Sequence, residues 1–194
     1  LFDRPTPEGF KGYDVTGVFI RTWQPEFAEC TWRDERRDAM RMASFLDIPF
    51  LECDAEEAYK KGVADYMIEE YKKGNTPNPD VMCNREVKFG VFWQFAEERG
   101  ADFIATGHYA RVADATRAVE SHELKTKNYH LLAGIDPAKD QSYFLWTLKH
   151  DDLAHVLFPV GHLNKNEVRD IGRKVGIPTA EKKDSQGVCF IGPI

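Results

Sequence analysis

Asp102-Phe103-Ile104-Ala105-Thr106-Gly107-His108-Tyr109 is the stretch on which the fold turns. Its apolar, β-branched run reads as a buried strand. Gly107 then puts a side-chain-free backbone at the strand's carboxyl end, where open α/β sheets bind ligands. The plainer reading of the same residues is a simple turn with a surface His108. Upstream of it, strands and helices alternate. Asp14 to Ile20 and Ile48 to Glu52 read as strands. Thr31 with Asp34 resembles a capping box, opening a helix with Ala39, Met40, Ala43 and Leu46 on its inner face. Ala55 to Lys73 is amphipathic, with Val63, Tyr66, Met67 and Tyr71 inward and Gly74 as its stop. The two prolines of Asn75 to Pro79 predict a loop, after which Asn84 or a neighbour caps a helix ending at Gly100. This order predicts an α/β fold: a Rossmann-like parallel sheet with helices on both faces.

Beyond Arg111 the pattern changes. Tyr129 to Ala133 reads as a strand, Ser142 to Lys149 as a short aromatic helix, and Asn164 to Val175 as a helix stopped by Gly176-Ile177-Pro178. The 194 residues, 42% hydrophobic and 30% charged, suit one large domain, or one domain with the start of a second. No apolar run approaches the roughly 20 residues of a membrane-spanning helix, and no signal-peptide pattern is visible, so a cytoplasmic location and no membrane partner are expected. The net charge of -6 argues against a general nucleic-acid coat. It leaves room for an enzyme with a local basic patch, for which the basic residues from Lys125 to Lys183 are candidates; they read equally as solvated helix faces.

Four cysteines, Cys30, Cys53, Cys83 and Cys189, show no C-x-x-C spacing, so neither a zinc site nor a disulfide framework is expected. Cys30 precedes a helix and Cys53 ends a strand, both structural positions. Cys83 and Cys189 keep different company. Asn78-Pro79-Asp80-Val81-Met82-Cys83-Asn84 and Asp184-Ser185-Gln186-Gly187-Val188-Cys189-Phe190 set each thiol among turn-forming, polar residues, with Asp80 three positions before Cys83. Accessible thiols beside amides that stabilise a thiolate are expected there, although unpaired cysteines are also common as buried hydrophobes. In Lys139-Asp140-Gln141-Ser142, Asp140 suits a plain N-cap for the aromatic helix.

Five segments together carry a resemblance. Thr76 to Asn84, Ala105-Thr106-Gly107-His108-Tyr109, Lys139 to Leu145, Leu157-Phe158-Pro159-Val160-Gly161 and Lys183 to Gly192 look like the tRNA-specific 2-thiouridylase family (MnmA type) of the PP-loop ATP pyrophosphatase superfamily. They stand in that family's order from about Tyr13 to Gly192. The resemblance implies an adenine nucleotide alpha hydrolase-like fold, ATP with Mg2+ as cofactors, and replacement of the 2-oxygen of the wobble uridine in a tRNA anticodon stem-loop by sulfur. ATP would adenylate the carbonyl oxygen so that AMP leaves. It implies Cys189 as the persulfide carrier and Cys83 as the thiol that resolves it, leaving a Cys83–Cys189 disulfide. Asp80 would be the acid-base group, and Asn78, Pro79 and Asp80 the loop on the target uridine. Lys139, Asp140 and Gln141 would touch tRNA, while Ile20 and Gly107 would lie against the nucleotide. The sulfur would come from a persulfide donor such as a cysteine desulfurase or a sulfur-relay protein.

On this resemblance, residues 1–150 are an incomplete PP-loop nucleotide-binding and catalytic domain. Residues 151–194 start a smaller central tRNA-binding region with a returning catalytic-cysteine loop. The family's Ser-Gly-Gly-Val-Asp-Ser type phosphate loop, a nest of backbone N–H groups at a helix N-terminus, has no match here. Its β-rich C-terminal region has none either. The expectation is a fragment, with little or no ATP-dependent activity alone. Two other readings stay open: another PP-loop nucleotidyl transferase or ligase acting on a small molecule, and a non-catalytic tRNA-binding remnant.

Overall fold

The structure, a computed structural model, describes residues 12–25, 32–114 and 129–182. It divides into two compact units, Leu1–Asp80 with Arg169–Ile194, and Val81–Val168. This division by compactness does not fall near residue 150, where the resemblance sets a change of role.

In the first unit, β1 (Gly17–Arg21) and β2 (Phe50–Asp54) pair in parallel, from Gly17 opposite Phe50 to Arg21 opposite Asp54. Parallel neighbours need a crossover, which α1 (Trp32–Leu46) supplies. At the paired strand ends Arg21 Nη2 donates to Asp54 Oδ2 at 2.5 Å. The helix closes through Asp47, whose φ of 58° is left-handed, with the Ile48 N–H donating to Ala43 O at 3.0 Å. That is a Schellman-type turn on an aspartate, a residue that tolerates this conformation; no glycine announces it. Of the expected inner face only Ala43 is buried, while Met40 and Leu46 are 41% and 38% exposed. A two-stranded pair is too narrow to cover a helix face, and at Met40 the sulfur accepts from Arg36 Nη1 at 3.1 Å on the same helix. Thr31 of the expected capping box lies outside the described residues.

The predicted Ala55–Lys73 helix is one rod of three parts: α2 (Glu56–Tyr59), a π-helical segment Lys60–Asp65, and α3 (Tyr66–Lys72). Val63 is buried as expected, yet Tyr66 and Tyr71 are exposed. The wider π turn advances the register before Tyr66, so the face that a 3.6-residue period assigns to the core rotates away. Gly74 ends the rod with φ 81° and the Asn75 N–H donating to Glu70 O at 3.0 Å.

A second composite helix carries α4 (Pro79–Cys83), a π-helical segment Asn84–Val91 and α5 (Phe92–Glu97). The helix therefore starts at Pro79, earlier than the cap expected at Asn84 or a neighbour. Pro79 does not break this helix but opens it, since the first helical position has no N–H to lose. In the second unit β3 (Ile104–Ala105) pairs in parallel with β6 (Val156–Leu157), and β4 (Ala110–Asp114) pairs antiparallel with β5 (Tyr129–Ala133). The expected aromatic helix shrinks to a 3₁₀ turn, Ser142–Phe144, followed by α6 (His150–Leu153). Leu145, Ala110, Val87 and Ile104 form the centre of this unit's core. α7 (Lys165–Val175) starts as predicted, with the Asn164 N–H donating to Glu167 Oε2 at 2.7 Å.

The α/β class with parallel strand pairs and crossover helices is thus present. The described strands form three two-stranded pairs, because β3 and β6 carry only two ladder residues each. None of the described helices is long and apolar enough to cross a membrane. Gly100 has φ 80°, so Gly100→Ala should cost about 1 kcal/mol and lower the thermal midpoint by roughly 2–4 °C. An unchanged midpoint in calorimetry would show that this helix end is not held as described.

Candidate active site

Asn78 is exposed, and its Oδ1 accepts from the Asp80 N–H at 3.0 Å, so it is the N-cap of α4. Pro79 and Asp80 are half-buried in the first turn, and Cys83 ends the helix. One helix therefore holds an acid and a thiol three residues apart, the spacing that brings side chains to one face. The accessible Cys83 expected from its polar neighbours is not what is observed: it is buried at 5% exposure. The reason is helical. Val81 and Met82 are buried with it, and the polar Asn78 is spent on capping. Asn84 follows Cys83 into the interior at 2% exposure, donating from Nδ2 to Phe144 O at 3.2 Å. Its Oδ1 has no partner among the described residues.

The strand-end motif is built around a buried ring. His108 is 8% exposed, not a surface histidine. Phe89 and Phe158 pack against it, with ring centroids at 5.8 and 5.9 Å. Its Nδ1 lies 2.8 Å from Thr106 Oγ1, and its Nε2 lies 3.4 Å from Lys88 Nζ. Burial, assisted by the Lys88 charge, pushes its pKa down from 6.5 to about 3, so the ring is neutral at physiological pH. Beside it Gly107 is exposed, and a Cβ there would meet nothing within 4 Å. The backbone is thus open to a ligand at the carboxyl end of β3.

Asp140 and Gln141 do structural work. Asp140 Oδ1 accepts from the Gly134 and Ser142 N–H groups at 2.9 and 3.2 Å, and Oδ2 accepts from Ser142 Oγ at 2.9 Å. Desolvation, the largest single effect on Asp140, raises its pKa, but these donors and the Gln141 backbone outweigh it and leave the carboxyl below its ordinary value. Gln141 Oε1 accepts from the Tyr109 N–H at 3.1 Å, while the Gln141 N–H donates to Tyr109 O at 3.0 Å. Asp140 is thus not the N-cap of the Ser142–Phe144 turn, a position that Gln141 takes without a side-chain cap bond; its carboxylate instead closes an Asx-type turn onto the Ser142 N–H. Gly134 permits the approach, because a Cβ there would sit 2.6 Å from Tyr109 O. Lys139 is exposed at the start of this turn.

Cys83, Gly107, Lys139, Asp140 and Gln141 all belong to the second unit; Ile20, half-buried in β1, and Asn78, Pro79 and Asp80 belong to the first. Cys189 and Cys30 lie outside the described residues. Cys53 is buried in β2, as its strand position predicts. The basic residues are partly committed: Arg173 binds Asp170 and Glu181, and Lys182 binds Asp38. Among the described residues no group of three or more His, Cys, Asp or Glu side chains is arranged to hold a metal. Sequence reasoning missed the Lys88–His108–Thr106 contacts, since Lys88 is remote in sequence and reads as one more surface lysine.

Residues 9–193 match the family model described as the tRNA methyl transferase HUP domain. Among similar curated proteins, one named tRNA-specific 2-thiouridylase MnmA from Christiangramia forsetii is 49% identical over 188 residues, 95% of this chain and 46% of that protein. Proteins of the same name from Flavobacterium johnsoniae and Listeria monocytogenes are each 47% identical, over 95% and 94% of this chain and 46% and 47% of their own lengths. The chain spans about half the length of the curated relatives it matches.

Because unfolded His108 takes up a proton near its ordinary pKa and the folded form resists it down to about 3, its contribution is present above pH 6.5 and lost as pH falls. The loss approaches roughly 1.4 kcal/mol per pH unit across that window. Denaturant unfolding at several pH values should show a shallower acid slope for His108→Gln than for wild type; equal slopes would contradict a neutral, buried ring.

Proposed function

Because the chain belongs to the tRNA methyl transferase HUP domain family, we propose that it is the catalytic part of a tRNA 2-thiouridylase. The observation that carries this reading is the helix Pro79–Cys83, which sets Asp80 and Cys83 on one turn within a sequence 49% identical to a protein named for that activity. The family description speaks of methyl transfer, and the relatives are named for thiolation. An acid and a thiol on one turn suit the latter, since thiolation consumes a cysteine nucleophile.

The uridine O2 attacks the α-phosphate of ATP, and pyrophosphate leaves. The terminal sulfur of a Cys189 persulfide attacks C2, and AMP leaves. Cys83 as thiolate then attacks the Cys189 sulfur, freeing the 2-thio group and forming the Cys83–Cys189 disulfide, which an external thiol reduces. Asp80 moves the proton at the target base. Asn78 and Pro79 face the uridine, with Lys139 and the Asp140–Gln141 turn against the tRNA backbone. The open backbone at Gly107 suits an adenine nucleotide and Ile20 is assigned to the same ligand; Mg2+ would accompany its phosphates. A persulfide-bearing enzyme or relay protein supplies the sulfur, in the cytoplasm. In this reading residues 1–150 bind nucleotide, and residues 151–194 begin the tRNA-binding region and return Cys189 to the site.

Cys83 is buried, and apolar burial disfavours a thiolate, so the proposal requires tRNA binding to open its surroundings. With the full-length protein, tRNA, ATP, Mg2+ and a persulfide donor, Cys189→Ser should abolish 2-thiouridine measured by nucleoside mass spectrometry. Cys83→Ser should stop it after AMP formation. Wild-type levels of 2-thiouridine in either variant would overturn the assignment.

A further inference from the structure

Lys88, His108 and Thr106 form a hydrogen-bonded chain whose polarity is dictated by its first member. A lysine ammonium has three donors and no acceptor. At 3.4 Å from His108 Nε2 it can only donate, so Nε2 must be the acceptor nitrogen. A neutral imidazole with an acceptor at Nε2 carries its hydrogen on Nδ1. That hydrogen points to Thr106 Oγ1 at 2.8 Å. The hydroxyl oxygen is therefore an acceptor in this contact, and its own single hydrogen must be used elsewhere. No acceptor for it is found among the described residues. Thr106 is half-buried, follows the last residue of β3, and immediately precedes Gly107, whose missing side chain leaves space open over the backbone. The Thr106 N–H is already committed to Leu157 O at 3.1 Å, so of this residue's two donors the hydroxyl is the one left for a ligand.

We propose that the Thr106 hydroxyl is a hydrogen-bond donor to the ligand at the carboxyl end of β3, with Lys88 and His108 as positioning residues that orient it. The inference rests on the nucleotide-dependent reading above, so the acceptor is an oxygen or ring nitrogen of the adenine nucleotide. Both positioning residues act through the tautomer: removing the Lys88 donor frees Nε2 to carry the hydrogen, Nδ1 becomes an acceptor, and Thr106 turns its hydrogen inward. The ligand then loses its donor although no residue touching it has changed.

The test has two readouts. In the 194-residue chain, long-range 1H–15N spectra of the His108 imidazole should show a hydrogen on Nδ1 in wild type and on Nε2 in Lys88→Met. An Nε2–H ring in wild type, or an unchanged ring in Lys88→Met, overturns the inference. In the full-length protein with ATP and Mg2+ as probe, Thr106→Val should weaken binding by roughly five- to tenfold. Thr106→Ser should stay within about twofold of wild type, because it keeps the hydroxyl. A folded Thr106→Val protein, judged by its amide spectrum, that binds ATP like wild type overturns the inference and leaves the thiolation reading standing. Failure of the wild-type protein to bind ATP removes both.

Discussion

One composite helix sets the geometry on which the rest depends. It is opened by the Asn78 cap and Pro79, closes its first part at Cys83, and continues as a π-helical segment that carries Lys88. A π-helical stretch shifts every later side chain relative to an α-helical register. The same rod can therefore end one turn on a thiol and still deliver an ammonium to the buried ring of His108. The interior tolerates that ring because it stays uncharged and both nitrogens are paired, the condition under which a buried polar group ceases to be costly. Phe89 and Phe158 can then pack against it. Losing either partner of the ring would leave a desolvated nitrogen unmatched.

The second unit spends its polar groups on making rigid turns. Asp140 gathers three donors, and Gln141 exchanges backbone and side-chain bonds with Tyr109. Such a network is stabilising only when fully satisfied, and Gly134 is the concession in side-chain volume that lets the strands approach. The segment most readily assigned to substrate contact on sequence grounds is thus also the one that holds the strand-end motif in place. Lys139, at the start of this turn, is left exposed.

Much of this was legible in the sequence, and the misses have physical causes. Gly74 and Gly100 mark helix ends because a positive φ is needed there and glycine alone takes it without strain. The end of α1 is invisible to that rule because Asp47 does the same job. Tyr66 and Tyr71 were assigned inward by a period that assumes uninterrupted α-helix, and the π segment before them breaks the assumption. Pro79 was read as a helix breaker when its position makes it a helix opener. That single misplacement hid the burial of Cys83. A surface-turn reading of His108 stays open in the sequence because both partners precede it, Thr106 by only two residues and Lys88 from a separate helical segment twenty residues back. A linear pattern carries no sign of such a contact.

The central claim is that Cys83, buried on the helix that also carries Asp80, releases the transferred sulfur by forming a disulfide with Cys189 during turnover. Peptide mapping of the full-length protein after one turnover, with tRNA, ATP, Mg2+ and an isotopically labelled persulfide donor, measures this directly. The account predicts a disulfide joining the Cys83 and Cys189 peptides, formed only when tRNA is present and in step with labelled 2-thiouridine. Labelled 2-thiouridine accumulating while both cysteines remain reduced, with no reductant supplied, would contradict it.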